Sequence, residues 1–358
     1  MNNIETHSRI FYLDFLRVIA TIAVVCVHVS SINIDNPCLD TTTWYTNIIY
    51  GSLFRWCVPI FVMISGTLFL DNDKTISIKV LYKKNISKLI IALALWSIIY
   101  ALFQYLTIEK YHNIVSIIGL SIIGHYHLWF LYMIIGIYIS LPVLRLLSHN
   151  TNIIRYFLII SFIFSFTIPL ITSVIYYSLP RATIELINYH PYFIEGIHFN
   201  YKQLTPQTMM GYSFYFFLGH YLNTKKNTIS LLWILFIGIC GFALTSIPTL
   251  ILSKDNFCGD YYHYLSIGPF LEAYSIFIVG KCFWIHKSRK PISTIINKSF
   301  GIYLIHPMII ETLLLINVKP TMINPIIGIP VFITLVFISS ASIVFFLLKI
   351  PYFNRFCL

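Results

Sequence analysis

The chain has 358 residues, of which 58% are hydrophobic and only 10% charged, with a net charge of +11 and a mean hydropathy of +0.79. A soluble domain carries about 25% charged residues, so this chain cannot cover itself with polar side chains, and its solvent is lipid. That excludes a soluble enzyme or a nucleic-acid-binding module, and the positive charge reads as membrane topology.

About 20 apolar residues cross the hydrocarbon core. On that length the sequence predicts an all-α integral membrane protein of about ten transmembrane helices, beginning with 11–31. No A-x-A-like cleavage site follows this first run, and Arg17 lies inside it, so no cleavable signal peptide is expected. The stretch reads RIFYLDFLRVIATIAVVCVHVSS over 9–31. Arg17 and His28 are 11 residues apart, which is three helical turns plus about 20°, with a rise of about 16 Å. They share one face, with Asp14 a turn before Arg17. A charge facing lipid costs several kcal/mol, so this polar stripe must face protein or a wet cavity. The bland alternative is an Asp14–Arg17 ion pair at a helix end and a buried, hydrogen-bonded His28.

The second span, 48–70, carries Arg55 and Pro59, then the small pair Ser65-Gly66, which permits close helix approach. The loop 71–88 that follows holds five lysines. They suit anionic lipid headgroups; alternatively Lys83, Lys84 and Lys88 receive a phosphorylated cofactor, with Lys84 and Lys88 one helical turn apart. After the third span, 87–107, the stretch NIVSIIGLSIIG (113–124) is too short to cross and reads as a half-helix. The fourth span, 128–147, opens on GHYHLWFLY, with His125, His127 and Trp129 at its start. Trp129 suits an aromatic belt, and two histidines at i and i+2 share no helix face, so no metal is expected. The fifth span is 153–175. The segment 176–207, which includes Glu195, is polar and aromatic and reads as an outer vestibule or an ordinary loop. The remaining spans are 208–223, which is short, then 229–252, 264–285, 299–317 and 325–349. His306 precedes Pro307 in the ninth, where the proline frees backbone groups.

With the N-terminus inside, 18 of the 24 basic residues fall on inner positions, five on outer loops, and Arg55 within the second span. That asymmetry predicts both termini in the cytoplasm and an even number of spans. The seven cysteines contain no C-x-x-C pair, which argues against a metal framework. Cys38 and Cys258 fall in outer loops and could pair. There are no internal repeats and no low-complexity tail, so 1–358 reads as one membrane domain with no appended soluble domain.

The stretch LDFLRVIATIAVVCVHVS resembles the first helix of the acyltransferase-3 family of integral membrane acyltransferases, whose motif is an Arg, ten residues, then a His. VPIFVMISGTLFL, HLWFLYMIIGIYISLPVL, YFFLGHYL and SFGIYLIHPMII resemble further family segments, in the same order, over nearly the whole chain. The resemblance implies ten helices, no metal, and transfer of an acyl group, usually acetyl, from cytoplasmic acyl-CoA to a hydroxyl of an extracytoplasmic glycan such as an O-antigen. It also implies a bacterial inner membrane, a lipid-linked acceptor such as an undecaprenyl-linked oligosaccharide, and a functional pair at His28 and Arg17. An inner basic motif of the family is only loosely matched by Lys83, Lys84 and Lys88.

Acyl transfer needs a base for the hydroxyl proton and support for the thioester oxyanion. A histidine titrates near neutrality, so His28 is the expected base, with Arg17 and Asp14 in support and Lys83, Lys84, Lys88 and Arg17 towards acetyl-CoA. Arg55, His127, Trp129, His306 and Glu195 are expected to meet the acceptor. Either the pantetheine arm threads up the pore, or an acyl-enzyme relays the group. The competing class is a transporter or flippase of a polar glycan, since intramembrane charges also mark transport paths.

Overall fold

The chain begins with α1 (Phe11–Ser30), then α2 (Thr42–Phe54) and α3 (Cys57–Phe69), which together form one interrupted span. Next come α4 (Ile78–Thr107), the short α5 (Ile114–Ile123), α6 (Trp129–Ser148) and α7 (Thr151–Ser178). The last five are α8 (Tyr212–Thr224), α9 (Leu231–Leu252), α10 (Ile267–Trp284), α11 (Ser299–Leu315) and α12 (Pro325–Leu347). This computed structural model describes residues 11–32, 34, 41–71, 77–108, 113–178, 210–253, 257–284, 298–351 and 353, and among them there is no strand. Seven helical segments among the described residues are long and apolar enough to cross a membrane, and α11 is a shorter apolar helix. The protein is an all-α, multi-pass membrane protein. The half-helix predicted over 113–124 is α5, which stops where Gly124 turns to φ +76°.

The second span departs from the single helix expected there. It breaks at Arg55 and Trp56. The reason is Pro59: it has no N–H for the carbonyl of Arg55 four residues back, and its ring crowds that carbonyl. The break sets Arg55 inside the bundle.

Burial separates the centre from the rim. The apolar windows of α1 and of α2–α3 are each 61% buried, against 17% for α7 and 28% for α9. α1 packs on α2, α3, α10, α11 and α12, so its polar stripe meets protein on several sides. Leu232, Trp233 and Phe236 of α9 and Ile327 and Val331 of α12 are exposed and face the lipid. The α3–α8 crossing is unusually close. A Cβ at Gly66 would run into the Phe216 carbonyl, and one at Gly219 into the Met63 carbonyl, so small residues there let the two backbones touch.

Two basic residues placed on the inner side have a structural task. Lys281 of α10 donates to the carbonyls of Leu222, Asn223 and Lys225 at 2.7, 2.8 and 2.6 Å. These belong to the end of α8, whose last carbonyls have no helical donor. Arg145 does the same for the end of α3, donating to Phe69 O at 2.8 Å and Asp71 O at 3.3 Å.

Candidate active site

The polar stripe of α1 faces a cavity of about 150 Å³. Arg17, Val24 and His28 line it from α1, Val58 and Phe61 from α3, and Ser299, Phe300 and Tyr303 from α11. His127, Trp129 and Phe130 close another wall, with Tyr264 beside them. The cavity thus touches two residues separated by a rise of about 16 Å. A volume of about 150 Å³ spread along that rise is a narrow slot. Its middle is apolar and aromatic, and its ends carry a guanidinium and an imidazole.

At one end, Arg17 Nη1 lies 3.7 Å from Asp14 Oδ1, with both side chains partly exposed. The pair expected from the spacing is present, and Arg17 still lines the cavity. Lys83 and Lys84 are exposed on a π-helical turn of α4, Leu81–Ile86, and with Lys88 they lie outside the cavity wall.

At the other end His28 sits among rings. His306 is 4.9 Å from it and Tyr126 5.3 Å, centroid to centroid. His306 is fully buried, and its Nδ1 lies 3.1 Å from the carbonyl oxygen of Ile302. A carbonyl only accepts, so the proton is on Nδ1 and the neutral ring keeps a bare Nε2. The backbone opening expected at Pro307 is filled from outside: the Tyr100 hydroxyl donates to Leu304 O at 2.8 Å and accepts from Met308 N at 3.2 Å. Inserting into the helical ladder, it satisfies both groups.

Helical spacing sets His125 and His127 on different faces, but the backbone here is not α-helical. Residues Tyr126–Leu128 form a 3₁₀ turn, so the two rings come round to each other with Nδ1 to Nδ1 at 3.0 Å. His125 stacks on Tyr100 at 4.2 Å, and its Nε2 reaches Glu311 Oε1 at 2.9 Å. Tyr303 pins the next segment by donating to the His127 carbonyl at 2.6 Å. Trp129 stacks with Tyr264 at 5.8 Å. Tyr264 in turn lies 5.1 Å from the Arg55 guanidinium, which sits 3.7 Å above Tyr262. Arg55 is therefore tied to the cavity through an aromatic wall and does not itself line it. Among the described residues no group of three His, Cys, Asp or Glu is arranged to hold a metal. Glu195 and Cys38 lie outside the described residues; Cys258 is buried, its sulfur 3.1 Å from the Tyr177 hydroxyl.

A family model described as an acyltransferase domain, of the acyltransferase-3 type, matches residues 10–348. The chain belongs to the acyltransferase-3 family. No curated protein and no solved structure matches it. Membership makes the protein a membrane acyltransferase. The Arg and His of the first helix line one cavity. His125, Glu311, Tyr100 and Tyr303 were not legible as site residues. Each depends on a non-helical turn or on a contact between distant helices.

Proposed function

We propose that the protein is an acetyl-CoA-dependent O-acetyltransferase of a bacterial inner membrane, acting on a hydroxyl of a cell-surface glycan or its lipid-linked precursor. In this reading 1–358 is one membrane domain of ten spans with both termini in the cytoplasm. The observation that carries it is the slot: one narrow cavity with Arg17 at one end and His28 at the other.

A thin, mostly uncharged chain with an anion at its far end fits such a slot. The pantetheine arm of CoA is that kind of chain. Arg17 then holds the phosphate end by geometry, since a planar guanidinium grips phosphate with two donors. The separation of about 16 Å keeps Arg17 away from the thioester carbonyl when that carbonyl is at His28. Direct transfer through the slot is therefore favoured over a relayed acyl-enzyme. His28 takes the proton of the acceptor hydroxyl as its oxygen attacks the thioester carbon. Arg55, held against Tyr262 and Tyr264 behind the cavity wall, braces the aromatic wall that the acceptor meets. His127 and Trp129 meet the acceptor, Lys83, Lys84 and Lys88 guide the CoA nucleotide electrostatically, and Glu195 contacts the glycan.

The test is mass spectrometry of the surface glycans of cells with and without the gene, together with His28→Ala. Loss of one acetyl group per repeat in both the deletion and the folded variant is expected. Unchanged glycan acetylation in His28→Ala would remove His28 from the reaction.

A further inference from the structure

One chain of polar groups leads away from the cavity. His127 lines the cavity, and its Nδ1 meets His125 Nδ1 at 3.0 Å. Two ring nitrogens at this distance share one proton: two lone pairs or two N–H groups would repel. The other nitrogen of His125 faces Glu311 at 2.9 Å, in a bent contact with the oxygen off the N–H direction. His127 and Glu311 are thus coupled through one ring. The side chain of His125 is 1% exposed and that of Glu311 27%. Glu311 lies five residues past His306 on α11, about 7.5 Å farther along the helix, so the chain runs from the cavity to a partly open position.

On the cavity side, His28 and His127 line the same cavity. His306 lies 4.9 Å from His28 and 5.8 Å from His127, ring to ring. The Nε2 atoms of His306 and His127 are both buried and meet no partner, and that of His306 is bare because its Nδ1 serves the Ile302 carbonyl. Buried polar atoms without partners call for a reason.

We propose that His127, His125 and Glu311 carry the acceptor's hydroxyl proton, received from His28 across the cavity that His28 and His127 both line, to the end of the bundle opposite Arg17, with His125 and Glu311 as positioning residues; this rests on the acetyl-transfer reading above. The O–H bond breaks as the hydroxyl oxygen bonds to the thioester carbon. The C–S bond breaks with its electron pair on sulfur. CoA withdraws through the Arg17 end, where its thiolate takes a proton from water, and the hydroxyl proton leaves through Glu311. One proton appears at the far side for each acetyl transferred, and one is taken up at the near side.

The experiment uses the full chain in liposomes, radiolabelled acetyl-CoA, and the glycolipid fraction of the cell's own membranes as acceptor. Glu311→Gln is expected to bind acetyl-CoA normally and to complete its first turnover. Later turnovers should slow at least roughly tenfold, because the proton no longer leaves, and added formate should restore them. A general packing defect would also reduce the first turnover and would not respond to formate; that result overturns the proposal, as does a wild-type steady rate in both Glu311→Gln and His125→Phe. If the wild-type protein transfers no acetyl at all, the acetyl-transfer reading falls by itself. Nitrogen NMR of histidine-labelled protein then decides the chain: Glu311→Gln should move the ring resonances of both His125 and His127. A His127 resonance that stays in place would overturn it.

Discussion

Val24 offers a direct test of what runs through the slot. It lines the cavity from α1, is 5% exposed, and lies four residues before His28, about 6 Å below it along the helix. Val24→Phe puts a ring across the route between Arg17 and His28. A donor arm passing there must shift by more than an ångström, and a 1 Å misplacement at the reacting atoms costs on the order of 100-fold in rate. Overpacking costs about 1–3 kcal/mol in a filled core, and here the ring enters open space, so folding survives. The control is Ile22→Phe on the lipid-facing side of the same helix, where the residue is 36% exposed. The assay is acetyl transfer by purified protein across a range of acetyl-CoA concentrations, with folding followed by size-exclusion chromatography. Val24→Phe should lose at least roughly 100-fold in transfer while Ile22→Phe keeps it. Full activity in a folded Val24→Phe would mean that the donor does not pass between Arg17 and His28, and the threading argument would fail.

Arg17→Lys separates charge from geometry: it keeps the charge and loses the two-pronged donor set, so the acetyl-CoA concentration needed for half-maximal rate should rise by about tenfold with folding intact. Wild-type kinetics in that variant would leave only the charge, paired with Asp14, as the role of Arg17. Lys281→Met removes the donor to three carbonyls at the end of α8. It should lower stability by about 3 kcal/mol, the scale of a buried carbonyl left unmet, seen as an earlier thermal transition in detergent without a matching change in acetyl-CoA affinity. For topology, tags at both termini should report the cytoplasm, and a cysteine replacing the exposed Met322 should label from outside; labelling from the cytoplasmic side would refute the ten-span arrangement.

Composition and run length alone made this a helical membrane protein, because unbroken apolar runs of about 20 residues, unlike the short alternating strands of a barrel, satisfy their backbone in lipid as helices. Periodicity alone put Arg17 and His28 on one face, since the angle between them along a helix is set by covalent geometry. That much is local, and the structure agrees: both residues line one cavity. The proline rule also lay in the sequence, but its outcome did not. Pro59 breaks its span at Arg55, whereas the opening at Pro307 is filled by a hydroxyl from residue 100. His125 and His127 show the limit most clearly. Helical spacing sets them on different faces, yet a 3₁₀ turn brings their nitrogens to 3.0 Å. Glu311 and His306 reach the same cluster from a helix nearly two hundred residues away in sequence. Which polar groups meet inside a membrane is decided by how helices cross, and a lone span cannot specify that, because its buried polar atoms need partners that only other spans supply.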